Sequence, residues 1–151
     1  MNIPENWLKD FVSIRITTAE LANLLTMSGL EVESVAPVAP PFAGVVVGEI
    51  LAVERHPNAD KLTVCTVNAG AQTLNVVCGA PNVRAGMKAP LATVGAVLGS
   101  LLIKNSKLRG VESQGMLCSA KELGLSDDHS GLLELPADAK PGDDVYRALR
   151  L

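Results

Sequence analysis

Aromatic side chains are nearly missing from this chain. The 151 residues include one Trp, one Tyr and two Phe, namely Trp7, Phe11, Phe42 and Tyr146. None lies between Ala43 and Val145. Proteins that hold single-stranded nucleic acid without sequence preference stack bases on aromatic rings, worth about 1–3 kcal/mol per base. The long central stretch cannot build such a platform, so general single-strand binding is disfavoured. Cysteine is sparse too: Cys65, Cys78 and Cys118 are far apart and form no CxxC pair. That excludes a disulfide framework or a thiolate zinc site and leaves reduced thiols that pack as small hydrophobes. His56 and His129 are the only histidines. Cys118 with His129, or Ser119 with Asp127 and His129, offer a nucleophile and a base by composition alone. Spacing along the chain does not set their geometry, and no GxSxG elbow, P-loop or Rossmann glycine pattern is present. Asp127 and Asp128 read as turn or helix caps rather than metal ligands.

Long apolar runs are also lacking. The uncharged, largely apolar stretch between Lys88 and Lys104 has 15 residues, fewer than the ~20 needed to span a membrane. Pro90, Gly95, Gly99 and Ser100 divide it into two strand-sized pieces. MNIPENWLKDF carries charge early and lacks an apolar core segment, so no secretory signal is expected and the compartment is read as cytoplasmic.

Charge is present but unevenly placed. From Arg84 to Lys121 six basic residues face one acid, Glu112, a balance of +5; the remainder has seven basic and fifteen acidic residues, or −8, against a total of −3. An acidic body with one basic third points to an anionic partner met by one face.

Thr17-Thr18-Ala19-Glu20 fits a capping box, with Leu21, Leu24 and Leu25 at helical spacing and Gly29 placed to stop the helix. Leu30 to Val38 alternates apolar and polar residues and is expected to form a strand. Pro37, Pro40 and Pro41 mark a linker. One helix and one strand cannot close a core, so a segment 1–39 is expected to pack on something else, and a second domain to span 40–151.

From Gly44 on, the pattern is β. VVVGEILAV, KLTVCTVNAG, TLNVVCG, KAPLATVGAVL and SLLIK read as strands, with HPNAD as a turn capped by Asn58 and Asp60. Ser119 to Gly124 reads as a short helix with a Ser cap and a Gly stop. GLLELPAD reads as a last strand, and DDVYRALRL as the start of a helix. Short strands separated by turns imply a small barrel. The class is mainly β, α+β overall.

Three blocks in this pattern, HPNADKLTVCTVNAG, VVCGAPNVRAGM and KLRGVESQGMLCS, resemble the signature blocks of the tRNA-binding OB-fold domain found in several aminoacyl-tRNA synthetases. The flanks WLKDFV, LANLLTMSGLEVESV and ELGLSDDHSGLLELPADAKPGDDV resemble the N-terminal region of bacterial phenylalanine–tRNA ligase β chains. The resemblance implies a five-stranded OB barrel with a small N-terminal α/β appendage. It implies tRNA as partner, with no DNA and no membrane, in an α2β2 synthetase whose ATP, Mg2+ and chemistry lie outside these residues, and no cofactor within them. On such a barrel Lys61, Lys88, Lys104, Lys107 and Arg109 would meet phosphates. Asn82, Ser113, Gln114 and Ser119 would reach phosphates or 2′-hydroxyls. Met116 would press on a base or ribose, or else pack in the core with Cys118. The alternative is a docking module for protein contacts within the synthetase.

Overall fold

The computed structural model describes residues 1–40 and 42–151, so Pro41 of the linker lies outside the described residues. The chain divides into two compact units, Met1–Pro37 and Val38–Leu151.

The first unit has two helices, α1 (Glu5–Phe11) and α2 (Thr18–Met27), and neither buries a residue. The capping box at α2 is formed in full. The Glu20 amide donates to Thr17 Oγ1, and the Thr17 amide donates to Glu20 Oε2 at 2.8 Å. The Thr17 amide and hydroxyl, both donating to the Glu20 carboxylate, pull it below its ordinary value. The helix ends as Gly29 dictates. Its φ of +99° lets the Gly29 amide bond Thr26 and the Leu30 amide bond Leu25, a Schellman close. One expectation fails here. Residues 30–38 form no strand, because alternation makes a strand only where another edge supplies its hydrogen bonds. And α1 is an element that apolar periodicity did not announce. Its Glu5 accepts from the Thr18 hydroxyl at 2.7 Å and pairs with Lys9.

The second unit is an antiparallel barrel. Its strands are β1 (Phe42–Arg55), β2 (Thr63–Asn68), β3 (Thr73–Cys78), β4 (Lys88–Leu98), β5 (Leu101–Leu102), β6 (Ser106–Leu108), β7 (Val111–Ser113) and β8 (Gly115–Leu117). The sheet runs β3-β2-β1-β4-β5, with β8 also on β4. Residues 111–117 complete the curl. Leu117 and Met116 pair with Leu91 and Ala92 of β4 on one side. On the other, the Gln114 amide donates to Asn75 of β3 and the Val77 amide to the Ser113 hydroxyl. This is the five-stranded barrel topology expected, with the fifth strand broken at Gln114.

The long β1 pairs with both β2 and β4, with register shifts between Ile50 and Ala52 on one side and between Ala43 and Val45 on the other. At Gly48 the neighbouring strands come close, and a Cβ there would lie within 2.8 Å of Val67. Both faces of β1 and β4 are buried. Ile50, Ala89 and Leu91 point inward with Cys65, Val67 and Val76. Val45, Val47, Ala92 and Ala96 point the other way, under Leu123, Leu135, Ala139 and Val145 of the C-terminal segment. That is why VVVGEIL and KAPLATVGAVL read as near-continuous apolar runs.

The C-terminal segment is mostly irregular. The expected strand at GLLELPAD is absent from residues 131–138. Single bonds from Leu133 to Cys118 and from Leu135 to Lys88 hold it instead, and Pro136 lacks the amide needed to continue a ladder. The expected helix at Ser119–Gly124 is one turn, with the Ser119 and Glu122 side chains capping it and Gly124 at φ +69°. The tail does form a helix, α3 (Val145–Ala148), capped by Asp144. It packs Tyr146 on Phe42 at 4.4 Å.

Candidate nucleic-acid interface

HPNAD builds the loop between β1 and β2. The His56 amide bonds the Leu62 carbonyl, and the Leu62 amide bonds Ala59, closing a tight turn. His56 is 3% exposed. Its Nδ1 accepts from the Asn58 amide at 3.0 Å, so in the neutral ring the proton sits on Nε2. That Nε2–H donates to the Leu108 carbonyl, 2.9 Å away and 52 residues on in sequence. Asn58 Nδ2 donates to the next carbonyl, Arg109, at 3.1 Å.

Leu108 and Arg109 belong to the β6–β7 hairpin, whose register pairs Lys107 with Glu112 and Leu108 with Val111. The two turn residues, Arg109 and Gly110, have φ of +51° and +89°. A two-residue loop with both φ positive is the turn whose twist matches the strands. Gly accepts it freely, whereas Arg pays conformational strain. The strained residue presents an exposed guanidinium at the hairpin tip, near the exposed Lys107 and Lys104. Glu112, the one acid in this segment, is held by Asn105 Nδ2 at 2.6 Å.

The loop and the hairpin thus form one structural piece at one end of the barrel. Lys61, exposed on the same loop, also lines an open cleft of about 610 Å³ with Arg55, Asp60, Thr63, Gly79 and Pro81. Lys61, Lys104, Lys107 and Arg109 are therefore the expected basic residues that stand free at this end or beside it.

The remaining candidates are engaged within the protein itself. Asn82 takes the Leu132 amide on Oδ1 at 2.8 Å and donates Nδ2 to the Leu132 carbonyl at 3.0 Å. Ser113, 2% exposed, accepts from Val77 and donates to the Gly115 carbonyl at 2.9 Å. Gln114 Oε1 accepts from the Asn75 amide at 3.1 Å. Ser119 is buried against Glu122. Lys88 is half-buried, with Nζ on the Ala137 carbonyl. Met116 is half-buried and packs on the outer core cluster. His56, Asn58 and Arg55 were not among the candidates. A buried histidine two residues before an Asx was the available signal, but its partner lies far along the chain.

The nucleophile combinations do not assemble. Cys118 is fully buried, and that burial, aided by Glu122, raises its thiol to about 12. The Ser119 hydroxyl is held by Glu122, while His129 Nδ1 lies at the Asp127 carbonyl. Cys65 and Cys78 are neighbours across β2 and β3. The two thiols act on one another: the Cys78 thiol, donating toward Cys65, lowers Cys65, while Cys78 itself is raised. Both sulfurs are buried. No group of acids, cysteines and histidines among the described residues is arranged to hold a metal ion. No helix among them is long and apolar enough to cross a membrane.

A curled antiparallel barrel whose first loop and fourth-to-fifth-strand connection meet at one end is the architecture of OB-fold domains, which bind oligonucleotides with those two loops. The family described as "Putative tRNA binding domain" matches residues 45–144, and the chain belongs to it. Over its whole length the chain is 57% identical to the phenylalanine–tRNA ligase β subunit of Burkholderia lata, and 58% identical to that of Acinetobacter baylyi. It covers 20% and 19% of those proteins, so it spans about a fifth of the length of the curated relatives it matches. Among solved structures it is similar in fold to a MetRS related protein from Pyrococcus horikoshii. The TM-score is 0.50 at 23% identity, covering 66% of this chain and 85% of that one.

Proposed function

We propose that the barrel binds folded tRNA through its sugar–phosphate backbone and shape, as a non-catalytic module of a phenylalanine–tRNA ligase β chain. The observation that carries this reading is the pinning of the basic hairpin onto the HPNAD loop. It holds Lys107 and Arg109 together on a barrel with no aromatic residue between Ala43 and Val145. Rigidly placed cations suit a ligand that is itself folded and presents phosphates at set spacings. In the parent enzyme the α chain, ATP and Mg2+ would supply the aminoacylation chemistry, and these residues would hold or steer the substrate RNA.

The test is a titration of labelled, unmodified tRNA across a range of salt. It compares the parent chain, a Lys104→Ala/Lys107→Ala/Arg109→Ala variant, and poly(dT) as competitor. Each phosphate contact contributes about −0.7 to −0.9 to the slope of log K against log salt. The expected result is a steep slope for the parent that falls by about two to three in the variant, with poly(dT) the weaker ligand. No binding at low salt would overturn the reading and favour docking within the synthetase, for which the exposed Val97, Leu101 and Leu102 offer apolar surface.

A further inference from the structure

We infer that His56 and Asn58 are positioning residues for RNA binding: they hold the Arg109 turn in its left-handed form and so pre-set the hairpin's cations. This inference rests on the tRNA-binding reading above. The hairpin has little else to hold its tip. Every residue of β6 is exposed, and so are Arg109 and Gly110. Its base is secured through Ser113 and Gln114, which bond β3. Its tip is secured by the two carbonyls that His56 and Asn58 engage. Those carbonyls flank the strained residue: the Leu108 carbonyl belongs to the peptide unit before the Arg109 Cα and the Arg109 carbonyl to the one after it, where φ is +51°. A carbonyl held on each side of Arg109 limits rotation about its φ and ψ, so binding need not order the turn, and pre-ordering of this kind raises affinity.

The chemistry of the imidazole makes the idea separable from mere folding. One ring nitrogen serves the loop and the other serves the hairpin. Asparagine places an oxygen near Nδ1 and can keep the Asn58 amide bond, but it is too short to reach Leu108. Glutamine places an amide nitrogen near Nε2 and can reach Leu108, but it forgoes the bond to the Asn58 amide. Asn58 is itself exposed, so Asn58→Ala removes the second tether with little risk to the core.

The experiment uses the 151-residue chain with unmodified tRNA as probe and compares His56→Asn, His56→Gln and Asn58→Ala with the parent. Nitrogen-15 spectra of the parent ring should show the Nε2–H form. Amides of residues 107–112 should exchange faster in His56→Asn and Asn58→Ala, with His56→Gln closer to the parent. Affinity for tRNA should fall about tenfold in His56→Asn and about threefold in Asn58→Ala, with partial recovery in His56→Gln. Equal losses in His56→Asn and His56→Gln, unchanged hairpin exchange, or an Nδ1–H ring would overturn the inference. If the parent binds no tRNA, the function reading fails, and the exchange and ring spectra still decide whether the tether exists.

Discussion

Ser113→Ala is the substitution whose effect the structure sets most closely. The hydroxyl lies in a residue only 2% exposed and makes two bonds, accepting from the Val77 amide at 3.1 Å and donating to the Gly115 carbonyl at 2.9 Å. Val77 is itself buried at 7%, so water cannot readily replace the lost partner. A buried amide left unpaired costs about 1–3 kcal/mol, and the second bond adds about 0.5–1.5 kcal/mol, so the loss should be about 1.5–4.5 kcal/mol. The damage falls on the seam between β3 and the fifth strand, where few backbone bonds close the barrel. At about 3–4 °C per kcal/mol for a unit of this size, Tm should drop by about 5–18 °C. Urea unfolding followed by far-ultraviolet circular dichroism measures it. Because the hydroxyl faces inward, tRNA affinity below the transition should stay within about a factor of two, a shift of about 0.4 kcal/mol. A stability loss under about 0.5 kcal/mol, the size of an ordinary surface substitution, would refute the seam argument. So would lost tRNA affinity at unchanged stability.

Arg109→Asn should stabilise the hairpin by a few tenths to about 1 kcal/mol, because Asn tolerates the left-handed region, and should weaken tRNA binding; paired urea and binding titrations read both signs. Asn82→Ala should cost about 1–3 kcal/mol by freeing both backbone groups of Leu132, with the salt slope of tRNA binding unchanged. Glu20 has its folded pKa lowered by Thr17, so its help to α2 is present above the ordinary carboxylate range and is lost as pH falls through the folded value. Amides at the start of α2 should therefore exchange faster in acid relative to Glu20→Gln, where this added pH dependence should vanish. Cys118, buried and raised to about 12, should react with a thiol reagent only on opening, so its labelling should accelerate with urea as unfolding does.

Much of the barrel was legible because β-branched runs and Gly or Asn turns carry local meaning. Thr17, Glu20 and Gly29 likewise announced their caps, since a cap is decided within a few residues. The alternating stretch at 30–38 misled because a strand is a property of two segments and only one was in view. GLLELPAD misled for the same reason, its bonds to Cys118 and Lys88 being single contacts rather than a ladder. At the candidate site, the basic character of residues 104–109 was readable as charge. What Ser113, Gln114 and Asn82 do was not. A polar side chain looks the same in sequence whether it faces RNA or satisfies backbone groups 36 to 50 residues away. The role of His56 was hidden in the same way, since its bond to Leu108 joins distant segments.

In the proposed function, RNA meets the end of the barrel where the HPNAD loop and the basic hairpin join. Amide chemical-shift perturbation on adding unmodified tRNA tests it most directly. Shifts concentrated at residues 56–62 and 104–112, fading as salt is raised, are the expected result. Shifts confined to the apolar surface around Val97, Leu101 and Leu102, with the loop and hairpin unmoved, would contradict it.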